Sequence, residues 1–266
     1  ATHVNDPDKL RAILDLVEAG NMNALRLWGP SQPFPEMLYE EADRRGILLF
    51  YELPHVGGCW PDTPAFRQAC CREAEYAVRQ RRHHPSILLW CGSNEAHLIA
   101  KGKRPDGSYI GMELFENDYR DLLQRLDPGR YYHPSSPSGG AFPNDPTEGD
   151  SHSYNHHGFV TGADYPVLFT ENIRLAPPLV KTLRRYVGDD ALWPKGFIGT
   201  YGCPDDPPFP KAWMDLTLDR KLGENFLRVR AGAIGDFFDT VDTPEGQVYR
   251  WGQGQAVYIR ECVERL

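Results

Sequence analysis

Short apolar runs alternate with helical segments along this chain, and the apolar runs turn polar at their C-terminal ends. The clearest is "SILLWCGSNE", residues 86–95, in which Ile87, Leu88, Leu89 and Trp90 lead to Asn94 and Glu95. A strand with no polar alternation is buried on both faces, and in a water-soluble domain that means a parallel sheet covered by helices. "NALRLW" (23–28) and "ILLFYEL" (47–53) read the same way, "RYYHPSS" reads as a weaker strand, and "GDSHSYN" and "PVLFTEN" (166–172) read as two more.

The helical segments carry their own start and stop signals. In "PDKLRAILDLVEAG" (7–20), Leu10, Ile13, Leu14 and Val17 fall at helical spacing, with Asp6 as cap, Pro7 in the first turn and Gly20 just past the end. "PEMLYEEADRRG" (35–46) closes on a glycine, and the segment 64–82 ends before a proline that breaks it. Further helices are predicted at 113–126, 177–187, 213–231 and 253–266. Six strand–helix units favour a (β/α)8 TIM-type barrel over an open sheet. No repeat or low-complexity tract marks an internal boundary, so residues 1–266 read as one barrel domain.

Charge and composition exclude several classes. A net charge of −8, from 29 basic and 37 acidic residues, leaves no basic surplus to neutralise phosphates, so nucleic acid is not an expected partner. No stretch approaches the roughly 20 apolar residues that span a bilayer, and the first residues lack the basic-then-apolar order of a signal peptide, so no membrane partner is expected and the chain reads as soluble. The 6 cysteines are irregularly spaced without a CxxC pair and read as buried or idle thiols. His83–His84 and His156–His157 lack metal-ligand spacing and read as structural or exposed; no metal and no organic cofactor is expected.

In a barrel the C-terminal strand ends converge on one mouth. The polar and aromatic residues there are Arg26 and Trp28, Glu52, Asn94 and Glu95, His152 and Tyr154, and Glu171 and Asn172. Glu95 and Glu171 stand on different strands, and two carboxyl groups facing across a sugar are what glycosidic bond cleavage requires. Proximity of like charges raises one pKa and leaves the other low, making an acid and a nucleophile from identical side chains. Trp28 and Trp60 offer flat faces to a sugar ring, and Arg26 can hold a carboxylate ionised. For Glu52, positioning Arg26, binding a substrate hydroxyl and forming a structural ion pair all stay open. A core hydrogen bond or a substrate contact stays equally open for His152 beside Asp150.

The segments "NMNALRLWG", "RHHPSILLWCGSNE", "GDSHSY" and "PVLFTEN", with "PPLVKTLRRY" downstream, resemble the catalytic barrel of glycoside hydrolase family two, in its β-mannosidase and exo-β-glucosaminidase branch. The resemblance implies that Glu95 is the acid/base, Glu171 the nucleophile and Asn94 a contact to the sugar 2-hydroxyl. It implies that Arg26 and Trp28 line the subsite of the cleaved sugar, and places His152 and Tyr154 in the family's Gly-Asp-x-His-x-aromatic segment. Tyr154 stands where tryptophan is common, and "FTENIRLAPP" departs from the residues that follow the nucleophile in β-mannosidases.

The expected activity is that of a retaining exo-β-glycosidase on an oligosaccharide or glycoside, β-mannoside first. Exo-β-glucosaminidase, β-galactosidase or a non-catalytic carbohydrate-binding barrel are the alternatives. An amino sugar would want a further carboxylate, from Glu52 or Asp150. By the same resemblance the chain is expected to lack the first and last barrel strands and the flanking β-sandwich domains. Exposed sheet edges would then make it fold poorly alone.

Overall fold

The computed structural model of the protein describes residues 6–31, 33–58, 60–100, 107–145, 147–153, 170–188 and 196–200. The first helix, α1 (Pro7–Ala19), is built as its sequence predicts. The Asp6 carboxylate accepts from the Asp8 and Lys9 N–H groups, Pro7 sits where no intrahelical donor is needed, and Gly20 N–H returns to Leu16 O at 2.9 Å. Leu10, Leu14 and Val17 are buried, whereas Ile13, the other apolar position of the predicted stripe, faces solvent.

Strand β1 (Ala24–Leu27) is followed by a 3₁₀ turn at Gly29–Ser31, α2 (Glu36–Arg45), β2 (Leu48–Glu52), α3 (Pro64–Arg81), β3 (Ile87–Cys91) and the short α4 (Ala96–Ala100). Gly46 ends α2 with φ 71°, a left-handed conformation that a side chain resists. A π-helical turn (Glu113–Asp118) runs straight into α5 (Tyr119–Leu126), and β4 (Tyr131–His133) comes next. The strands β1, β2, β3 and β4 form a parallel sheet in that order, with Leu25 opposite Leu49, Tyr51 opposite Trp90 and Trp90 opposite Tyr132. Every residue of β3 is buried, as its unbroken apolar run demands.

Side chains lock the N-terminal end of this sheet and its helices. The Arg130 guanidinium donates to the carbonyls of Arg82 (2.7 Å), His84 (2.5 Å) and Ile87 (2.8 Å) and to Asp127 Oδ2 (2.7 Å). The same Asp127 oxygen accepts from Trp90 Nε1 at 2.9 Å, giving the one polar atom of that buried ring a partner. At the π turn, Tyr132 Oη donates to Phe115 O at 2.6 Å, so a side chain from the sheet enters the helix ladder where the spacing opens. Sequence periodicity places a helix there but carries no sign of the altered turn.

Three more strands, β5 (Asp150–Ser153), β6 (Thr170–Leu175) and β7 (Gly196–Thr200), form a second sheet in that order, and α6 (Pro177–Val187) lies between β6 and β7 in the chain. The chain divides into two compact units, Ala1–His152 with Arg174–Phe197, and Ser153–Ile173 with Ile198–Leu266. Strand β6 takes in the end of the predicted 166–172, whose earlier residues lie outside the described ones, and β7 was not among the predicted strands. The helices predicted at 213–231 and 253–266 lie outside the described residues. No helix among the described residues is long and apolar enough to cross a membrane.

His55, in the loop after β2, is buried against Phe115, Tyr119 and Trp60, with Nε2 2.5 Å from Tyr119 Oη. Burial alone pushes its pKa down to about 4. The unfolded chain therefore binds a proton at this residue between about pH 6.5 and 4 that the folded chain refuses, so stability rises with pH across that window. Urea unfolding is expected to show stability falling by up to about 1.4 kcal/mol per pH unit over that range from this group. His55→Gln is expected to flatten that fall; an identical slope in the variant would contradict the assignment.

Candidate active site

The C-terminal ends of β1, β2 and β3 are joined by one guanidinium. Arg26 donates to Glu52 Oε1 from Nε at 2.7 Å and from Nη2 at 2.6 Å, and Nη2 also donates to Asn94 Oδ1. The other Glu52 oxygen accepts from Gly29 N–H at 3.1 Å. The Glu52 side chain is 0% exposed and that of Arg26 10%. Burial raises the Glu52 carboxyl pKa, while the Arg26 charge and the Gly29 N–H pull it back. A β-carbon on Gly29 would lie 2.1 Å from Leu53 O, so only glycine brings this N–H onto the carboxylate.

Past β3 the backbone threads between extensions of β2 and β4. Asn94 N–H donates to His55 O at 2.9 Å, Glu95 N–H to Ser136 O at 2.7 Å, and Ser136 N–H to Ser93 O at 2.9 Å. Within this frame Glu95 adopts φ 63°, a left-handed conformation costing a side-chain-bearing residue about 1–2 kcal/mol. Strain of that size persists because hydrogen bonds on both sides over-determine the backbone. Asn94 is buried, and the Glu95 side chain is 20% exposed with Oε1 3.3 Å from His152 Nδ1.

A buried hydrogen-bonded chain fixes His152. Ser136 Oγ donates to Asp150 Oδ2 at 2.5 Å and lies 2.8 Å from His152 Nε2, and Asp150 Oδ1 takes His133 Nε2 at 2.6 Å and Ser138 N–H at 2.9 Å. Burial pushes the Asp150 carboxyl up, but His133, His152 and Ser136 together outweigh it and hold it below the ordinary aspartate value. With the Ser136 proton given to this carboxylate, Ser136 Oγ accepts from His152, so the ring carries its proton on Nε2. Its other ring nitrogen, Nδ1, faces Glu95 Oε1. Asn144 holds the His152 backbone from both sides, accepting its N–H at 2.5 Å and donating to its carbonyl at 2.6 Å.

The structure thus brings together Arg26, Glu52, Asn94, Glu95 and His152. Of the openings left for Glu52, the geometry shows the pairing with Arg26. Trp28 follows β1 and is 41% exposed, while Trp60 stacks on Phe66 and packs against the core. Glu171 and Asn172 lie on β6, with their side chains outside the described residues, as is the whole of Tyr154. Ser136, His133 and Asn144 carry no sequence signal for their part in the site. Only the spacing of Asp150 and His152 on one strand hinted at the buried chain.

Comparison with known proteins agrees with the resemblance read from the motifs. The chain is 30% identical over 163 residues to β-mannosidase B of Emericella nidulans, and likewise to that of Aspergillus niger, each match taking in 56% of this chain. It covers 19% of the length of those relatives. Among solved structures, the β-D-mannosidase of Dictyoglomus thermophilum shares the fold, with a TM-score of 0.67 at 23% identity over 96% of this chain and 30% of that one. No family model matches. The chain carries a β-mannosidase-like domain.

The left-handed Glu95 makes a stability test independent of turnover. Glu95→Gly is expected to be more stable than Glu95→Ala by about 1 kcal/mol in urea unfolding, since only alanine keeps the conformational cost. Equal stability of the two variants would show that the backbone there is unstrained.

Proposed function

We propose that this chain carries the catalytic carboxylates of a retaining exo-β-glycosidase built on a (β/α)8 barrel, acting on terminal β-mannosides. Glu95 is the acid/base and Glu171 the nucleophile. Glu95 gives its proton to the glycosidic oxygen as that bond breaks, while Glu171 attacks the anomeric carbon and forms a glycosyl-enzyme. Glu95, now ionised, then takes a proton from the water that displaces Glu171, regenerating both carboxyl groups. Two displacements at one carbon retain its configuration.

The observation that carries this reading is the placement of Glu95 just past a parallel strand, with Oε1 3.3 Å from Nδ1 of the fixed His152 ring. It gives Glu95 a polarisable partner with which to hold or release a proton, and the buried chain behind His152 keeps the ring in place. Arg26 and Trp28 border the same strand ends, suited to a sugar hydroxyl and a sugar face. The names of the similar proteins support a β-mannoside as the substrate. So does the burial of Glu52 and Asp150, whose oxygens are engaged with Arg26, Gly29, His133, Ser136 and Ser138 and do not offer themselves to an amino group.

The test uses the full-length protein and aryl β-mannoside, β-glucosaminide and β-galactoside substrates. The mannoside is expected to be turned over best, with the first-formed sugar in the β configuration by NMR. Glu95→Ala is expected to lower kcat about 10²–10⁴-fold on a substrate with a poor leaving group. Glu171→Gln is expected to abolish turnover while substrate binding persists. Full activity in both variants would overturn the two assignments.

A further inference from the structure

At the N-terminal end of β3, away from the strand ends that carry Glu95, Glu36, His83 and His84 bring their donor atoms within 4.8 Å of one another. We propose that these three residues form a zinc site, oriented by Asp43 from behind. The inference is independent of the reading of Glu95 and Glu171.

His84 is nearly fully buried and its ring is fixed from both edges. Nδ1 lies 2.6 Å from Asp43 Oδ2, and the other Asp43 oxygen accepts from Ser86 N–H at 2.9 Å. This is the arrangement in which a metal-binding histidine is set by a carboxylate on its far nitrogen, which selects the tautomer with Nε2 bare. That Nε2 faces Glu36 Oε1 at 2.9 Å. Two lone pairs at that distance repel unless a positive species bridges them, either a proton or a metal ion.

Zinc bonds of about 2.0–2.2 Å at angles between a right angle and the tetrahedral value put neighbouring ligand atoms about 2.9–3.5 Å apart, so the spacing suits either bridge. His83 favours the metal. Its ring lies beside that of His84, with centroids 4.1 Å apart, and it supplies a second imidazole where a bridging proton needs none. The other Glu36 oxygen pairs with Arg81, whose guanidinium rests over the Tyr39 ring at 4.6 Å. Arg81 thus takes one Glu36 oxygen and leaves the other to His84. Glu36 and His83 are exposed and can close on an ion arriving from solvent, whereas His84 and Asp43 provide the rigid half.

An imidazole pair with one carboxylate suits zinc over magnesium or calcium, which prefer all-oxygen shells. Glu36 opens α2 and His83 follows α3, so a bound ion ties the start of one helix to the end of another and stabilises the folded chain.

The full-length protein, stripped with chelator, is titrated with Zn²⁺ by calorimetry, and its melting is followed with and without the ion. One equivalent is expected to bind and to raise the melting temperature. Glu36→Gln and His83→Ala, both at exposed positions, are each expected to weaken that equivalent at least about 10-fold. Asp43→Asn, which touches no metal, is expected to weaken it about 10–100-fold. Melting of each variant without zinc checks that it folds. Absence of a stoichiometric equivalent, or zinc affinity unchanged in Glu36→Gln and His83→Ala, would overturn the proposal and leave a proton as the bridge.

Discussion

One buried guanidinium, that of Arg26, reaches from β1 to the carboxylate at the end of β2 and to the amide just past β3. Taking an arginine and a glutamate out of water costs several kcal/mol per ion, and the attraction between them repays this only when the remaining hydrogen-bonding groups are also met. Here they are met by Asn94 and by the Gly29 N–H, which approaches because residue 29 has no side chain. What the pair supplies is position. With Asn94 held through its side chain by Arg26 and through its backbone by His55, the next residue has little freedom, and Glu95 leaves the sheet in a left-handed conformation it would not adopt unaided.

The same economy governs the polar groups behind Glu95. Asp150 is buried and kept ionised by two histidines and a serine, so the Ser136 proton has a fixed destination. That fixes the His152 ring, with Nε2 on Ser136 and Nδ1 toward Glu95, so Glu95 has a neighbour whose orientation does not drift. In a site of this kind the second partner's geometry matters as much as its chemistry, because proton transfer is sensitive to heavy-atom distance.

Much of the fold was legible in the sequence where one force dominated. The unbroken apolar runs of β2 and β3 could only be buried on both faces, and Asp6, Pro7, Gly20 and Gly46 marked helix ends through local hydrogen bonds and backbone freedom. Features set by distant neighbours were not legible. The π turn at Glu113–Asp118 answers Tyr132, and Glu95 takes a positive φ because His55 and Ser136 hold the strand beside it. Among site residues, Arg26, Asn94, Glu95 and His152 stood out as polar endings to strands. Ser136 and His133 did not, since a serine in a loop and a histidine ending a weak strand are common without any role. Glu36 and His84 lie 48 positions apart, so spacing alone could never have joined them.

If Glu171 is the nucleophile and Glu95 its acid/base, a 2-deoxy-2-fluoro-β-mannosyl fluoride will react once and stall, because the fluorine slows both displacements while the activated leaving group spares the first. Peptide mass spectrometry of the inactivated full-length protein should then find the fluoromannosyl group esterified to Glu171. A label on any other carboxylate, or steady turnover of mannosides by a protein that never acquires one, would contradict the mechanism.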